Sequence, residues 1–243
     1  AVPFGLRVSD ALRLGGQAAA EYEHNGEFDL DDQRDRDRSK PSLRGKVDAL
    51  WLIDEAGSYA LGEITFGRDD TIRENDVDTH EDRLELSRAY ASLAVTERLQ
   101  VLVGRQDFDE EREWLYDEVL DGARAVLHLD ALEFEVGGAV GREIAAEPNA
   151  YEDTGVLFAN VRARVDGEWE LGAYVLRRTD DTGAGFEPLL YGVRSFAFPR
   201  YGLGHWLELG GAGGDDGARR IRGHAFDVGL LYTWDTAWRP TLG

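Results

Sequence analysis

Eight arginines carry the chemistry that the sequence offers most plainly: Arg44, Arg88, Arg105, Arg124, Arg142, Arg162, Arg164 and Arg194. A guanidinium is planar, keeps its charge and grips a carboxylate with two parallel N–H bonds, so a ladder of them could hand an anionic sugar along a wall. All eight are read on the polar side of segments that alternate apolar with polar residues. The same side supplies Asp48, Glu63, Glu133, Glu135, Glu170 and Asp227. These acids keep a second reading open, an ion-pair lattice that fills a polar interior and binds nothing. Arg105 stands just before an acidic stretch, where it could either anchor that stretch or contact a passing anion.

Other chemistries find less support. The chain has no Cys, which excludes disulfides, thiolate metal sites and a cysteine nucleophile together. His24, His80, His128, His205 and His224 lack the spacing of zinc or iron ligands. Acidic pairs such as Glu133 and Glu135 arise by chance among 48 acids, and spacing alone does not define a glycosidase geometry. Asp29 to Asp35 and Asp76 to Asp78 offer hard oxygen ligands without the Gly and terminal Glu of an EF-hand loop, and read as solvated acidic loops. The sequence therefore calls for no catalytic residue, no metal and no cofactor.

The elements that must position the arginines are strands. Twelve segments rich in β-branched, Leu and aromatic residues lie near 13–28, 42–53, 58–68, 83–95, 98–108, 120–129, 131–144, 155–166, 168–179, 188–198, 203–211 and 220–234. In the clearest, Leu157, Ala159, Val161, Ala163 and Val165 share one face, and Asn160, Arg162 and Arg164 the other. That is the pattern of a strand between lipid and water. Phase breaks elsewhere: Val101 and Val103 fall on the face of Arg105, which requires a bulge or a rim. Tight turns near 54–57, 96–98, 130, 166–167, 199–202 and 235–236 alternate with longer acidic connections near 29–41, 69–82, 109–119, 145–154, 180–187 and 212–219. An up-and-down meander with that parity gathers its long loops at one end. Trp51, Tyr59, Trp169, Tyr201, Trp206, Tyr232, Trp234 and Trp238 gather near the turns, as rings at a headgroup level would.

Composition agrees. The 243 residues carry a formal charge of −21, which argues against nucleic acid as a partner. No stretch approaches the roughly 20 consecutive apolar residues of a membrane-spanning helix. A mean hydropathy of −0.42 still suits a β-barrel, whose strands hide every second residue from lipid. The expected fold is all-β, an antiparallel up-and-down transmembrane β-barrel with about 12 strands, in one domain over 1–243. The start Ala1-Val2-Pro3 reads as a processed or trimmed product, and the chain as either a barrel incomplete at its C-terminus or one with a shortened wall. The competing reading is a soluble acidic β-sheet binding protein from a high-salt habitat.

Leu99 to Arg124 resembles the alginate-export family of outer-membrane barrels: Gly104-Arg105-Gln106 closes a strand, and an acidic loop with Trp114 comes next. His205 to Gly210 is similar to a family strand, and Gly223 through Tyr232 to Trp238-Arg239-Pro240-Thr241-Leu242 to a hairpin entering the next one. The resemblance implies a larger barrel of the bacterial outer membrane, a porin that passes an acidic polysaccharide such as alginate through an Arg-lined constriction. It implies membrane lipid, an anionic polysaccharide or small polar solute, and periplasmic export proteins as partners.

Overall fold

The computed structural model describes residues 5–25, 38–73, 76–109, 117–141, 154–165, 169–180, 183, 185–198, 202–236, 238 and 240–242. Among these are fifteen strands and no helix: β1 (Leu6–Arg7), β2 (Leu12–Asn25), β3 (Arg38–Leu52), β4 (Tyr59–Arg73), β5 (Asp76–Ala94), β6 (Leu99–Asp109), β7 (Asp117–Leu129), β8 (Leu132–Val140), β9 (Thr154–Arg164), β10 (Trp169–Asp180), β11 (Phe186–Ala197), β12 (Gly202–Asp216), β13 (Arg219–Arg220), β14 (Gly223–Thr233) and β15 (Thr241–Leu242). The twelve long strands match the twelve sequence segments in order. β1, β13 and β15 have two residues each.

By packing, the chain divides into two units, residues 1–91 with 143–148 and residues 92–142 with 149–243. In the first, the hydrogen-bonded order is β1-β2-β3-β4-β5. The β3–β4 ladder runs from Arg38↔Arg73 to Leu52↔Tyr59. Its tight turn is closed by Ile53 N donating to Ser58 O at 2.8 Å and by Ser58 N donating to Asp54 Oδ1 at 2.9 Å. The Ser58 hydroxyl and then its backbone N–H hold the exposed Asp54 carboxyl below its ordinary range. A depressed folded pKa gives stability that is present above the unfolded value and lost as pH falls through the folded one. The Ser58 amide shift, followed by NMR, should therefore titrate with a midpoint below the ~3.9 of a free aspartate. A midpoint at the ordinary value would show that the bond does not form.

In the second unit the order is β6-β7-β8-β9-β10-β11-β12-β14-β15, with β13 beside β12. Every pairing with a described register is antiparallel, and apart from the two-residue β13, which pairs only with β12, consecutive strands are neighbours, so the fold is up-and-down. Among the described residues no ladder joins the two ends of either unit's strand order.

Strands run into the expected acidic loops. β4 runs to Arg73 and β5 starts at Asp76, β7 starts at Asp117, and β12 runs to Asp216. Backbone N–H and C=O groups must be paired whatever the side chains are, and a hairpin wet on both faces satisfies them without an apolar alternation. Binary pattern reports burial, so it stops where burial stops. The stretches 29–37, 110–116 and 145–153 lie outside the described residues.

Register fixes two faces in the second unit. One carries the row Phe134↔Val161↔Ala173↔Val193↔Leu209↔Phe226, across β8 to β14. Val161 in this row is half-buried, but its other large side chains are exposed, Val193 by 52% and Phe226 by 74%, as are Val136, Leu157, Leu171, Val175, Leu207, Val228 and Leu230 on the same side. The other face holds the buried residues. Phe108, Leu120, Ala139, Val156, Phe158 and Leu176 cluster there, with Leu190 against them and Phe108 edge-on to Phe158 at 5.9 Å. The sequence did not announce this apolar patch on the polar side.

The bulge expected in β6 is not found: the β6–β7 ladder pairs residue for residue from Leu99↔Leu127 to Asp109↔Asp117, and Gly104 in its middle has a φ of 125°, where side chains are strained. Around it Val103 is 48% exposed, whereas Arg105 and Gln106, on opposite faces by alternation, are both buried. Gly104→Ala should cost ~1 to 3 kcal/mol through backbone strain alone. Chemical unfolding in micelles reads that cost, and an unchanged midpoint would mean that the backbone relaxes.

Candidate functional site

The charged face in the second unit is built on one cross-strand row. His128 (β7) faces Glu133 (β8), which faces Arg162 (β9). Arg162 faces Gly172 (β10), Gly172 faces Arg194 (β11), Arg194 faces Glu208 (β12), and Glu208 faces Asp227 (β14). Directly opposite residues in a ladder have Cβ atoms about 5 Å apart, so charges on adjacent strands meet, except where Gly172 separates Arg162 from Arg194. Arg162 Nη2 donates to Glu133, and His128 Nδ1 lies 3.0 Å from the other oxygen of that carboxylate. Glu208 Oε1 accepts from the Tyr174 hydroxyl at 2.9 Å. Asp227 Oδ2 accepts from Trp206 Nε1 at 3.1 Å.

Next to this row, Arg124 donates to Glu135 at 3.3 Å while its guanidinium stands over the Phe108 ring at 5.8 Å. Asn160 donates to the other oxygen of Glu135 at 3.4 Å. Arg194 is buried, with its guanidinium over Tyr174 at 5.8 Å and over Phe196 at 5.6 Å. Gly172 makes room for it: a Cβ there would stand 3.0 Å from Arg194 Cγ. Arg164 is exposed at the end of β9 and lines a cavity of about 180 Å³ with His128, Asp130, Glu133, Arg162 and Glu170.

Arg105 differs from the rest. It is 7% exposed and donates to Asp121 at 3.2 Å, directly opposite it in the β6–β7 ladder. By alternation these two share the side of Val103. Arg142 lies outside the described residues.

The first unit has its own group. Glu63, 5% exposed, receives Lys46 Nζ at 2.9 Å and Arg88 Nη2 at 2.5 Å, and Asp48 lies opposite it in the ladder. Arg44 reaches Asp69 at 3.6 Å from a largely exposed position. Contacts of that kind contribute ~0 to 1 kcal/mol. Of the eight arginines, Arg124, Arg162 and Arg194 thus belong to one patch of the second unit, and Arg44 and Arg88 to the first.

No protein-family model matches the chain, and no curated protein matches it. Among solved structures it is similar to OccK5 (OpdH) of Pseudomonas aeruginosa, an outer-membrane porin, with a TM-score of 0.50 at 10% sequence identity. The match covers 92% of this chain and 60% of that one. The likeness is one of fold. Beside the OccK5 architecture, the exposed apolar row and the charged row fall on the two opposite faces of antiparallel up-and-down strands, as the register requires.

Aromatic residues divide between the faces. Trp169 stands at the turn end of the apolar face, its Nε1 donating to Ser195 Oγ at 2.9 Å, and that hydroxyl also meets His205 Nε2 at 2.8 Å. Tyr232 and Trp234 meet edge-on at 4.9 Å, and Trp51 and Trp238 are well exposed. Trp206 and Tyr59 are different. Trp206 has the parity of Glu208 and lies on the charged face, flat over Gly229, where a Cβ would come within 1.9 Å of its ring. Tyr59 has the parity of Glu63 and meets Tyr90 edge-on. Tyr201 is outside the described residues. Sequence reasoning passed over Tyr174, Glu208 and Asp121. The signal for Glu208 was available, since in Trp206-Leu207-Glu208-Leu209-Gly210 it alternates with two leucines.

Proposed function

We propose that the chain forms the wall of a bacterial outer-membrane channel that passes polar or anionic solutes and has no catalytic activity. The observation that carries this is the two-sided wall of the second unit, with large apolar side chains exposed on one face and ionised groups gathered on the other. Water would disfavour that exposed face, whereas hydrocarbon suits it. β9 itself, from Thr154 to Arg164, has 11 residues, the length of a tilted transmembrane strand. Membrane lipid is then the partner of the apolar face.

The arginine groups and the likeness of Leu99 to Arg124 to alginate-export barrels favour an acidic polysaccharide as the cargo, with periplasmic export proteins delivering it. Reversal potential in a salt gradient across a planar bilayer tests the channel and its sign together. Anion preference supports this reading, and an absence of conductance in a folded, inserted protein removes it. A charge of −21 favours the alternative, a soluble acidic binding protein, which would stay in buffer after ultracentrifugation without detergent.

A further inference from the structure

The apolar side of β14 changes character along its length. Phe226 lies opposite Leu209, Val228 opposite Leu207 and Tyr232 opposite Leu203, and with Leu230 they make an exposed row on that side. Toward the end at which β10 turns into β11, the same alternation continues through His224 and Arg222 to Arg220. β13 and β14 keep one register against β12, with His224 opposite Gly211 and Arg220 opposite Asp215, so the three share the face of Phe226. All three are exposed.

Elsewhere in the second unit Arg105, Arg124, Arg162 and Arg177 are each bonded to an acid. Arg220 and Arg222 form no ion pair with an acid among the described residues, although Asp215 stands opposite Arg220. Glu187, which faces Asp215 from β11, is held by Arg177 at 3.4 Å. Side chains two residues apart on one strand face are ~7 Å apart, so both guanidiniums can reach a single phosphate. A guanidinium fork takes two phosphate oxygens at once, and the His224 ring adds an N–H donor in either neutral tautomer. Phe226 stands ~13 Å along the strand from Arg222. A molecule with an anionic head and an acyl tail thus meets cations at one end of the row and apolar side chains along the rest.

We propose that Arg220 and Arg222 bind the phosphate of an anionic lipid headgroup where the apolar face of the wall ends. The proposal rests on the channel reading, because it takes lipid to lie against this face. Arginine suits the place, since its stem covers apolar surface while its charge reaches the headgroups. The pair thereby sets the depth of the β12–β14 hairpin in the bilayer. Arg219 supplies the contrast: it lies opposite Asp216, one position out of phase, and so belongs to the charged face.

The test places a fluorophore on a single cysteine introduced by Phe226→Cys, in the full chain reconstituted into phosphatidylcholine vesicles. Two trace lipids with a nitroxide high on the acyl chain, a phosphatidic acid and a phosphatidylcholine, are compared as quenchers. The phosphatidic acid should quench at about tenfold lower mole fraction, the scale expected of two arginines near a membrane surface. Arg220→Gln with Arg222→Gln should bring the two lipids level, and Arg219→Gln should leave the preference as it is. Raising sodium chloride should weaken the preference without any variant, which decides the matter if the double variant fails to fold. Inorganic phosphate in the buffer should not displace the lipid. Equal quenching by both lipids in the wild type, an unchanged preference in the folded double variant, an equal loss in Arg219→Gln, a preference indifferent to salt, or displacement by inorganic phosphate would each overturn the proposal while leaving lipid on this face. No quenching by either lipid would remove the channel reading and the proposal with it.

Discussion

Val161→Arg should destabilise the protein in a lipid bilayer by ~2 to 4 kcal/mol, the cost of a cationic side chain on the lipid face of a barrel near the midplane. Val161 is the choice because it sits halfway between Leu157 and Val165, in the row that joins Phe134, Ala173, Val193, Leu209 and Phe226. In water the long arginine stem could reach solvent from this half-buried strand position, and the same substitution would cost less, ~1 kcal/mol. Unfolding titrations in phospholipid vesicles separate the two, and a wild-type midpoint would count against lipid on that face. Arg162→Val, one residue along, is expected to act through the loss of its bond to Glu133, because a shift of one position exchanges the faces.

Arg105→Gln should cost ~3 kcal/mol, the low end of the penalty for removing one member of a buried ion pair. Arg105 is 7% exposed and bonds Asp121, whose side chain keeps 23% of its exposure, so some water softens the loss. The anchoring role is the one this geometry favours over contact with a passing anion. Asp121→Asn should recover part of the stability in the double variant, since the uncompensated acid is the source of the cost. If single-variant stability is unchanged while reversal potential moves, Arg105 serves the passing anion instead.

The strands were legible because lipid and water impose opposite demands on alternate residues, as Leu157 to Val165 illustrates. Parity also gave the partners in the lattice without naming them: Glu133, Glu135, Arg124 and Arg162 were all read on the polar side, and they pair there. Strand ends were less legible. β4 continues to Arg73 and β5 starts at Asp76, in a stretch rich in charged residues whose sequence has no apolar alternation to announce a strand. The apolar cluster around Phe108 and Phe158 was hidden for the opposite reason, because its members sit at polar-side positions where the expectation was a wet wall. Trp206 was misplaced by its nearness to a turn, although its parity with Glu208 was available and decides its face.

In a channel wall, lipid lies on one face of the second unit and water on the other. The chain has no cysteine, so a single one introduced at each position from 157 to 165 carries a fluorescent probe uniquely. Quenching by nitroxide lipids in vesicles should be strong at the odd positions, including Val161, and weak at the even ones, including Asn160 and Arg162. A water-soluble quencher should give the reverse alternation. Equal access of the aqueous quencher to both sets, with no response to the lipid nitroxides, would contradict a membrane wall.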